Sequence, residues 1–568
     1  MGLTSALGIG RTALAAYQAA LQAAGQNIAN VATPGYTRIS PQLSAIAGQN
    51  FAAGQLGQGV RITSIRRNIS ETLQARLRTA ISDQNSAGAE KDALSRIEGL
   101  FNPLGDSNLG SLMSAFFGSL NDLQNNPDNI ASRGIVINTA TTLAERIRNT
   151  RGDLIDLRTE LNRQIDSVVQ RGDQLATQIA ELNTKIAVAE AGQSGPASAL
   201  RDERDQRLND LSELFDVTVR EQPSGAVNVY IGNESLVQLG TSFGLKTTSE
   251  LDANGLASSV VRFKINDGQV KTDTGLVAGL ITARDVHNQA QFAKLDTLAA
   301  GLINAVNKVH SGGQGLEGFS TITGTTQVLD PTQTLNAQNN GIDFLPQTGS
   351  FFIDVKDTAS GSVVRTQINV DLDGIGTDTT LNSLAADINA NVPNVTATVL
   401  ANGQLQLTAA AGSTFTFSND TSGTLAALNV NTFFSGKDSR DIGINPLISG
   451  NPALLAAAQS DFPGDGSNAT ALSSIQDSSV ASLGGVSLNE FYNATMADLA
   501  VRSSAAKSSV DAADTIAQSL TVQRESISGV NLDEEAVSMV SFQRAFEGVS
   551  RYMNVVDQML QTLLTLVR

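Results

Sequence analysis

The sequence contains no cysteine and no tryptophan among its 568 residues, and histidine occurs only twice. The absence of cysteine excludes disulfides, thiolate metal sites and cysteine nucleophiles. Aromatic residues make up only 4% of the chain, and its 12 prolines are far outnumbered by 50 glycines. The stability of the protein must therefore come from packing and assembly, without covalent cross-links.

Long apolar runs are also missing, since none reaches the roughly 20 residues that a membrane-spanning helix needs. The N-terminus lacks a basic region followed by an apolar core and a cleavage site, so we expect no cleaved signal peptide. The formal net charge is −17, whereas a nucleic-acid-binding surface is normally basic. We therefore expect neither a membrane nor a nucleic acid as a partner, and we interpret the acidity as a contribution to solubility.

The motifs of common enzyme and metal sites are absent or incomplete. His287 and His310 lie outside any HExxH pattern, and no GxSxG nucleophile elbow occurs. Residues 313–318 match GxGxxG but follow a helical pattern instead of a strand, which is the wrong context for a dinucleotide. The segment that begins at Asp371 resembles a calcium loop, but Ile375 occupies a ligand position and the bidentate acid is missing, so we interpret it as a turn. We predict no catalytic, cofactor-binding or metal-binding residues and hence a protein that is not an enzyme.

The chain is too long for one compact domain, and its hydrophobic pattern is helical at both ends and strand-like in the middle. We predict an α+β multidomain protein with terminal coiled-coil helices, a long helical bundle rod and β-rich outer domains inserted in the middle. The predicted segments are an N-terminal assembly helix with an extended segment (1–70), the first part of the rod (71–204), a β-rich outer domain (205–274), a helix returning to the rod (275–319), a β-rich insert (320–435), a loop with further rod helices (436–527) and a C-terminal assembly helix (528–568).

The clearest pattern runs from about residue 136 to residue 190. One heptad position is apolar throughout this stretch, at Ile147, Leu154, Leu161, Val168, Leu175, Leu182 and Ala189. Such a stripe predicts one long amphipathic helix that must lie against other helices. A second uninterrupted helix is predicted over 467–527. Alternating and β-branched runs predict strands at 217–219, 227–231, 351–355, 395–399 and 405–407.

The first helix, predicted over residues 3–30, carries a narrow apolar stripe. Four residues recur at seven-residue spacing, namely Leu7, Leu14, Leu21 and Ile28. A neighbouring row is interrupted by a glycine and consists of Leu3, Gly10, Tyr17 and Ala24. A stripe this narrow is typical of a coiled-coil seam. Asn30 is suited to the left-handed residue that ends a helix, and Thr33, Pro34 and Gly35 predict a turn that leads to Tyr36.

The last helix has a clear start signal. Asn531, followed three residues later by Glu534, predicts a capping box. Two heptad rows come next, formed by Phe542, Val549, Val556 and Leu563 and by Ala545, Tyr552, Met559 and Leu566. Because neither terminal seam can bury itself alone, we predict that the two pack on each other and on neighbouring copies. Periodicity leaves one alternative open, which is a pair of unrelated helices docked on their own domains.

The residues around these two seams resemble a known family. Residues 27–38, NIANVATPGYTR, are similar to the signature of flagellar rod, hook and hook-associated proteins, a helix that ends in ANxxTPGY. Residues 529–536, GVNLDEEA, and the following FQRAF are similar to the hook-associated protein 1 family, the first hook–filament junction proteins. The family pattern has Tyr where this chain has Phe546, which keeps the ring and loses a hydroxyl. The match covers about 1–200 and 467–568, and 350–430 resembles a flagellin-type insert.

The resemblance implies a structural component of the bacterial flagellum, located outside the cell at the hook–filament junction. In this family the terminal helices form an inner tube, the rod forms a second shell and the β domains project outward. Subunits leave the cell unfolded through the flagellar type III export apparatus, without a cleaved signal peptide. The implied partners are copies of the same chain in a ring or tubular helical assembly, the hook protein, the second hook–filament junction protein, an export chaperone and the type III export apparatus.

Assembly would use the residues of both seams and both motifs. The predicted assembly interface consists of Leu7, Leu14, Leu21, Ile28, Asn30, Thr33, Pro34, Gly35, Tyr36, Asn531, Glu534, Phe542, Val549, Tyr552, Val556, Met559 and Leu563. We also predict that the export chaperone binds the C-terminal seam, because an exposed apolar stripe would otherwise aggregate before export. Both terminal helices are then expected to fold only on assembly.

Other functions would use the same features differently. A hook or distal rod protein shares the N-terminal signature, but the GVNLDEE motif and the long heptad stripe argue against it. A secreted adhesin or enzyme would bind a ligand through the β-rich middle, and no catalytic constellation supports an enzyme. A pore former would insert its last helix into a membrane, whereas the narrow seam and the charges of both signs on the polar face favour helix pairing.

Overall fold

A computed structural model of the chain describes residues 3–51, 54–102, 105, 108–191, 196–252, 255–462 and 464–566. Helices dominate both ends and strands the middle, which confirms the predicted α+β class. In chain order the helices are α1 (Leu3–Ala29), α2 (Glu71–Phe101), α3 (Leu109–Leu123), α4 (Ile130–Glu190), α5 (Ser198–Leu214), α6 (Leu276–Thr282), α7 (Gln289–Ser311), α8 (Leu381–Asn391), α9 (Thr424–Ala427), α10 (Pro446–Gly450), α11 (Ser467–Ser474), α12 (Leu488–Ser528) and α13 (Leu532–Leu566).

The strands are short and pair in antiparallel fashion. In chain order they are β1 (Ile39–Ala45), β2 (Gln49–Phe51), β3 (Gly54–Leu56), β4 (Val60–Arg67), β5 (Val217–Glu221), β6 (Val227–Ile231), β7 (Glu234–Gln238), β8 (Thr241–Ser242), β9 (Leu245–Leu251), β10 (Ala257–Phe263), β11 (Thr321–Thr323), β12 (Gly349–Asp357), β13 (Val363–Val370), β14 (Val395–Val399), β15 (Leu405–Ala409), β16 (Ser413–Ser418), β17 (Phe434–Ser435) and β18 (Gly443–Ile444). They form four strand pairs (β1–β4, β2–β3, β9–β10, β17–β18), one four-stranded sheet (β5-β6-β7-β8) and two three-stranded sheets (β11-β15-β14 and β13-β12-β16).

Two compact units share the described chain. Unit 1 consists of Met1–Ala93, Thr159–Arg284 and Ser504–Arg568, and unit 2 consists of Leu94–Arg158 and Asp285–Ser503. Helices α2, α4 and α12 each contribute one part to each unit. Unit 1 holds the two terminal helices and strands β1 to β10, whereas unit 2 holds strands β11 to β18. No helix in the described parts of either unit combines the length and apolarity needed to cross a membrane.

The long heptad stripe forms a single helix, as predicted. Helix α4 has 61 residues and begins six residues before the predicted start, because Asn129 caps it by accepting hydrogen bonds from the N–H groups of Ala131 (2.8 Å) and Ser132 (3.2 Å). The buried members of the predicted row are Ile147, Leu154, Leu161, Leu175 and Leu182. Val168 is half-buried and Ala189 is exposed, so the stripe is covered along most of its length.

Polar residues of α4 hold the strands of unit 1 on the helix. Asn183 donates from Nδ2 to the carbonyl oxygens of Val227 and Leu239, at 2.7 and 2.6 Å. Asn162 and Asp173 bind backbone groups of β10 and β9 in the same way, at 2.9 to 3.0 Å. These three residues are spaced by about three helical turns, so they share one side of α4. The heptad pattern did not reveal this polar row, which satisfies backbone groups that would otherwise be buried without partners.

The insert of unit 2 has its own apolar core, to which both three-stranded sheets and α8 contribute. Its large members include Phe351, Ile353, Phe415 and Phe417, all buried. The prediction of a β-rich segment over 320–435 missed α8. The signals for this helix are present in the sequence, since Thr380 and Ser383 form a reciprocal capping box and the buried residues that follow have helical spacing, at Leu381, Leu384, Ala385 and Ile388.

The prediction of an uninterrupted helix over 467–527 is wrong. Helix α11 ends at Ser474 and α12 begins at Leu488. Gly484 and Gly485 adopt φ values of 78° and 86° between them, and a helix cannot continue through two left-handed residues. Ser487 and Glu490 then restart the helix as a capping box, with reciprocal hydrogen bonds of 2.9 and 3.2 Å. The Gly-Gly pair and the Ser-x-x-Glu motif were both readable signals.

Candidate assembly interface

The two terminal helices pack along each other in unit 1. The side of α1 that is buried there is lined by small residues, namely Gly10, Ala13, Ala16, Ala20, Ala23 and Ala24, and ends at Asn27. Gly10 lies so close to α13 that a Cβ atom at this position would overlap Sδ of Met553. Small side chains therefore allow the two helices to approach closely.

The buried seam of α1 differs from the one that the sequence predicted. The predicted row of Leu7, Leu14, Leu21 and Ile28 is half-buried and flanks the seam. The fully buried positions alternate by three and four residues along the neighbouring rows, at Gly10, Ala13, Ala20, Ala24 and Asn27. Large apolar residues dominate any reading of periodicity, whereas the contact itself selects small residues that let the two backbones come together. The heptad period was right and its phase was wrong.

The predicted seam of α13 is only partly covered. Val556 is buried and Phe542 and Val549 are half-buried. Tyr552, Met559 and Leu563 retain 42%, 55% and 45% exposure. Together with residues of α1 they line an open apolar groove of about 550 Å³, formed by Leu3, Ala6, Tyr552, Val555, Val556, Met559, Thr562 and Leu563. One half of the seam thus binds α1, and the other half faces outward.

A compact turn follows α1. Nδ2 of Asn30 donates to the carbonyl oxygen of Gln26 at 2.9 Å, and Oγ1 of Thr33 donates to Oδ1 of Asn30 at 3.2 Å. The left-handed residue of this turn is Gly35, with φ of 80°, and Asn30 is not left-handed as predicted. Pro34 and Gly35 thereby direct the chain back, so that Tyr36 reaches the end of α1.

Beyond this turn, four residues form a cluster that joins the two sequence motifs; we call Asn27, Tyr36, Arg38 and Glu535 the base cluster. Nδ2 of Asn27 donates to the carbonyl oxygen of Ile39 at 2.9 Å and to Oε2 of Glu535 at 3.1 Å. Oδ1 of Asn27 accepts from the Tyr36 hydroxyl at 2.8 Å and from the Ile39 N–H at 3.0 Å. The amide of Asn27 thereby uses both donors and both acceptor sites.

Arg38 connects this amide to the start of α13. Its Nε donates to Oε1 of Glu535 at 2.7 Å and its Nη1 to Oε2 of Glu534 at 3.0 Å. Its backbone N–H donates to the carbonyl oxygen of Ser528 at 2.9 Å. The side chain of Glu535 is only 4% exposed, so its charge is compensated by Arg38, by Asn27 and by the positive end of the helix dipole.

The predicted capping box of α13 is only half correct. Oδ1 of Asn531 accepts a hydrogen bond from the N–H of Asp533 at 3.0 Å and so caps the helix. Glu534 does not complete the box, because its carboxylate pairs with Arg38. Two buried acids of the surroundings also act on the motif tyrosine. Burial, together with the negative charges of Asp202 and Glu535, raises the pKa of Tyr36 to about 12, which keeps its hydroxyl protonated as a donor to Asn27.

Sequence reasoning missed three central residues of this site. Asn27, Arg38 and Glu535 all lie within the quoted motifs, yet they were not assigned to the interface. Periodicity relates residues within one helix, and it contains no information that a residue near the N-terminus meets one some 500 positions later. The motif positions themselves were the available signal.

The segment from Asp371 forms a turn, as interpreted from the sequence. Carboxylate oxygens of Asp371, Asp373 and Asp378 lie within 4.8 Å of one another. Oδ1 of Asp373 and Oδ1 of Asp378 accept hydrogen bonds from backbone N–H groups of the same loop, at 2.8 and 3.0 Å. The acids are therefore accounted for by the turn that they stabilise.

Comparisons with known proteins point in one direction. Residues 94–325 match the model of the flagellar hook-associated protein FlgK helical domain, and residues 522–566 match that of the flagellar basal body rod FlgEFG protein C-terminal region. Flagellar hook-associated protein 1 of Escherichia coli (strain K12) is 26% identical over 574 residues, which cover 99% of this chain and all of that protein.

Two further relatives extend the comparison. Flagellar hook-associated protein 1 of Bacillus subtilis (strain 168) is 31% identical over 375 residues, covering 58% of this chain and 71% of that protein. The solved flagellar hook junction protein FlgK from Burkholderia pseudomallei shares the fold with a TM-score of 0.53 at 16% identity, covering 80% of this chain and all of that one. The chain thus belongs to the flagellar hook-associated protein 1 family and is a structural component of the bacterial flagellum.

Proposed function

We propose that the protein forms the junction between hook and filament and is held there by its paired terminal helices. The observation that carries this proposal is the half-covered seam of α13. Tyr552, Met559 and Leu563 continue a contact that α1 has already begun, but they leave an apolar groove open. Exposed apolar surface of this kind marks a protein–protein interface, and a seam continuing an intrachain contact fits further helices of the same type.

The proposed interface keeps the residues predicted from the sequence and assigns them different parts. Leu7, Leu14, Leu21 and Ile28 flank the seam at half burial and so retain surface for neighbouring copies. The turn residues Asn30, Thr33, Pro34 and Gly35 shape the end of α1. Phe542, Val549 and Val556 bind α1, whereas Tyr552, Met559 and Leu563 bind neighbours. Neighbouring copies of the chain are therefore the first partners, in a ring or tubular helical assembly.

Further partners follow from a position between hook and filament. The hook protein would lie on one side, and the second hook–filament junction protein on the other. The protein would reach this extracellular position through the type III export apparatus, without a cleaved signal peptide. Support comes from the names of the full-length relatives, which are hook-associated proteins, and from the matching C-terminal rod-protein model.

Deletion of residues 532–568 tests the junction function. Cells that produce only this truncated chain should assemble hooks, shed unpolymerised flagellin into the medium and lack filaments, because the seam that holds the junction is gone. Shed flagellin is measured in culture supernatants, and filaments are counted by electron microscopy. Normal filaments on the truncated strain would rule out assembly through α13. Gln558→Ala with Gln561→Ala, which changes exposed positions of the same helix, serves as the control and should leave filaments normal.

The export chaperone is proposed to bind the C-terminal seam. The exposed apolar residues of α13 need cover before export, since a free stripe of this kind promotes aggregation. A pull-down with the chaperone of the same operon type, comparing the full chain with a chain that ends at residue 529, measures this directly. Binding should be lost with the deletion, and equal binding by both chains would contradict the assignment.

A further inference from the structure

We propose that Asn27, Arg38 and Glu535 set the register in which α1 and α13 pair. This inference rests on the proposed assembly through the terminal helices and identifies the residues that specify their alignment. Correct alignment matters because a shifted pair would place every exposed seam residue at the wrong height for a neighbouring copy.

The rest of the seam does not specify one alignment. The buried side of α1 presents glycine and alanine along most of its length, and such residues fit against many partners. On α13 the facing residues repeat every seven positions as Phe542, Val549, Val556 and Leu563. A shift by one heptad, about 10 Å along the helix, brings apolar residues opposite small ones again. Packing alone therefore discriminates weakly between registers.

The base cluster breaks this repetition. In the described parts of α1 and α13, Asn27 and Glu535 are the polar residues that the structure buries, with 1% and 3% exposure. In the observed register they bind each other. A shift by one heptad would place Asn27 opposite Phe542 or beyond the start of α13, and the Glu535 carboxylate would lose its buried partner. Unpaired buried polar groups are strongly unfavourable, and one buried asparagine is known to fix coiled-coil register.

Arg38 ties the alignment to the chain connection. It lies in the segment after α1, and its backbone N–H binds the last residue of α12, Ser528. Its side chain binds Glu535 and Glu534 in the first turn of α13. The same residue thus contacts the end of α12 and the beginning of α13, while Asn27 marks the end of α1. The geometry fixes three helix ends at one point.

Introduced cysteine pairs can measure the register, because the chain has no native cysteine. Gly10→Cys with Met553→Cys reports the observed register, in which these two residues are in contact. Gly10→Cys with Phe546→Cys and Gly10→Cys with Leu560→Cys report shifts of one heptad in either direction. Assembled flagella are oxidised, and the cross-linked fraction is read on non-reducing gels. In the otherwise unchanged chain the first pair should cross-link at least tenfold more than either shifted pair.

The test compares this ratio between two backgrounds. Arg38→Leu with Glu535→Leu removes the polar signal and keeps the seam apolar, so the shifted pairs should rise to within about threefold of the first pair. Gln22→Leu with Glu547→Leu makes the same kind of change at exposed positions of the two helices and should leave the ratio at tenfold or more. An unchanged ratio in the Arg38→Leu, Glu535→Leu background overturns the proposal.

A second variant covers the case in which that chain fails to assemble. Glu535→Gln keeps the shape of the side chain and removes its charge, and a ratio that falls at least threefold supports the proposal, whereas an unchanged ratio overturns it. Failure of the proposed function has a different signature. Normal filaments without cross-linking of any pair in the otherwise unchanged chain would mean that the terminal helices do not hold the junction together.

Discussion

Helices α4 and α13 carry the same kind of heptad stripe, and the structure treats them differently. The stripe of α4 is covered by other parts of the chain, and Leu154 is completely buried. The stripe of α13 is buried at Val556 but leaves Met559 more than half exposed. An apolar repeat therefore predicts that a helix will pack, and it does not tell whether the partner lies in the same chain. The uncovered part of α13 is where other copies are expected.

The polar residues on the two helices differ in the same sense. On α4, Asn162 and Asn183 bind the edges of β strands and so hold a domain on the helix. On α13, Glu535 binds the far end of the chain. Polar groups within α4 complete the fold of one unit, whereas those at the base of α13 specify how two termini meet.

Removal of a buried stripe residue of α4 should have the largest effect. Leu154→Ala leaves a cavity at a site with no exposure, and we expect the free energy of unfolding to fall by about 3 kcal/mol, as is typical for such truncations. Urea unfolding followed by circular dichroism measures the change. Val168→Ala, at a half-buried position of the same row, should cost about 1 kcal/mol. Equal costs at both positions would show that burial does not distinguish them.

Acid should weaken the buried interior of unit 2 and thereby sharpen the contrast with the exposed seam. His310 on α7 accepts a hydrogen bond at Nε2 from the N–H of Ala456, at 2.9 Å. Its other ring nitrogen, Nδ1, faces the carbonyl oxygen of Asn431 at 2.8 Å. Burial lowers the pKa of His310 to about 4, so the imidazole is neutral in the folded state.

The sign of the effect follows from the two protonation states. The unfolded chain takes up a proton at His310 near pH 6.5 and the folded chain only near pH 4, so stability is lost as the pH falls between these values. The loss should approach about 3 kcal/mol for a shift of this size. His310→Gln keeps one donor and one acceptor and should abolish this part of the pH dependence. The same slope in that variant would assign the dependence to other groups.

The polar row of α4 should make an intermediate contribution. Asn183→Ala leaves backbone groups of Val227 and Leu239 buried without their partner, and we expect a loss of about 2 kcal/mol. Lys185→Ala, at an exposed position two residues away, should change the stability by less than about 0.5 kcal/mol. Chemical denaturation of both variants gives the comparison, and a neutral effect of Asn183→Ala would contradict the docking role of this residue.

The smallest effect on the isolated chain is expected on the exposed seam. Met559→Ala with Leu563→Ala removes apolar groups that already contact water, so the free energy of unfolding should change by less than about 0.5 kcal/mol. The same variant should shed flagellin in cells, because neighbouring copies lose their contact. A loss above about 2 kcal/mol in the isolated chain would mean that these residues are covered within it, and the contrast with α4 would disappear.

Much of the local structure could be predicted from the sequence. The start of the last helix at Asn531, the single helix α4 and the strands around Phe351 and Val395 all follow from patterns within a few turns or a few residues. The break at Gly484 and the helix after Thr380 were also encoded locally and were overlooked. The phase of the α1 seam was not, because large and small residues compete for the contact and only the partner helix decides between them.

The sequence by itself determined that both termini are helices with heptad seams and that two flagellar motifs flank them. Only the tertiary structure decided which residues meet. Asn27 and Glu535 come together because the turn at Gly35 and the end of α12 bring two distant helix ends to one point. Periodicity arises from interactions between near neighbours along the chain, whereas a buried contact across some 500 residues depends on everything that folds between them.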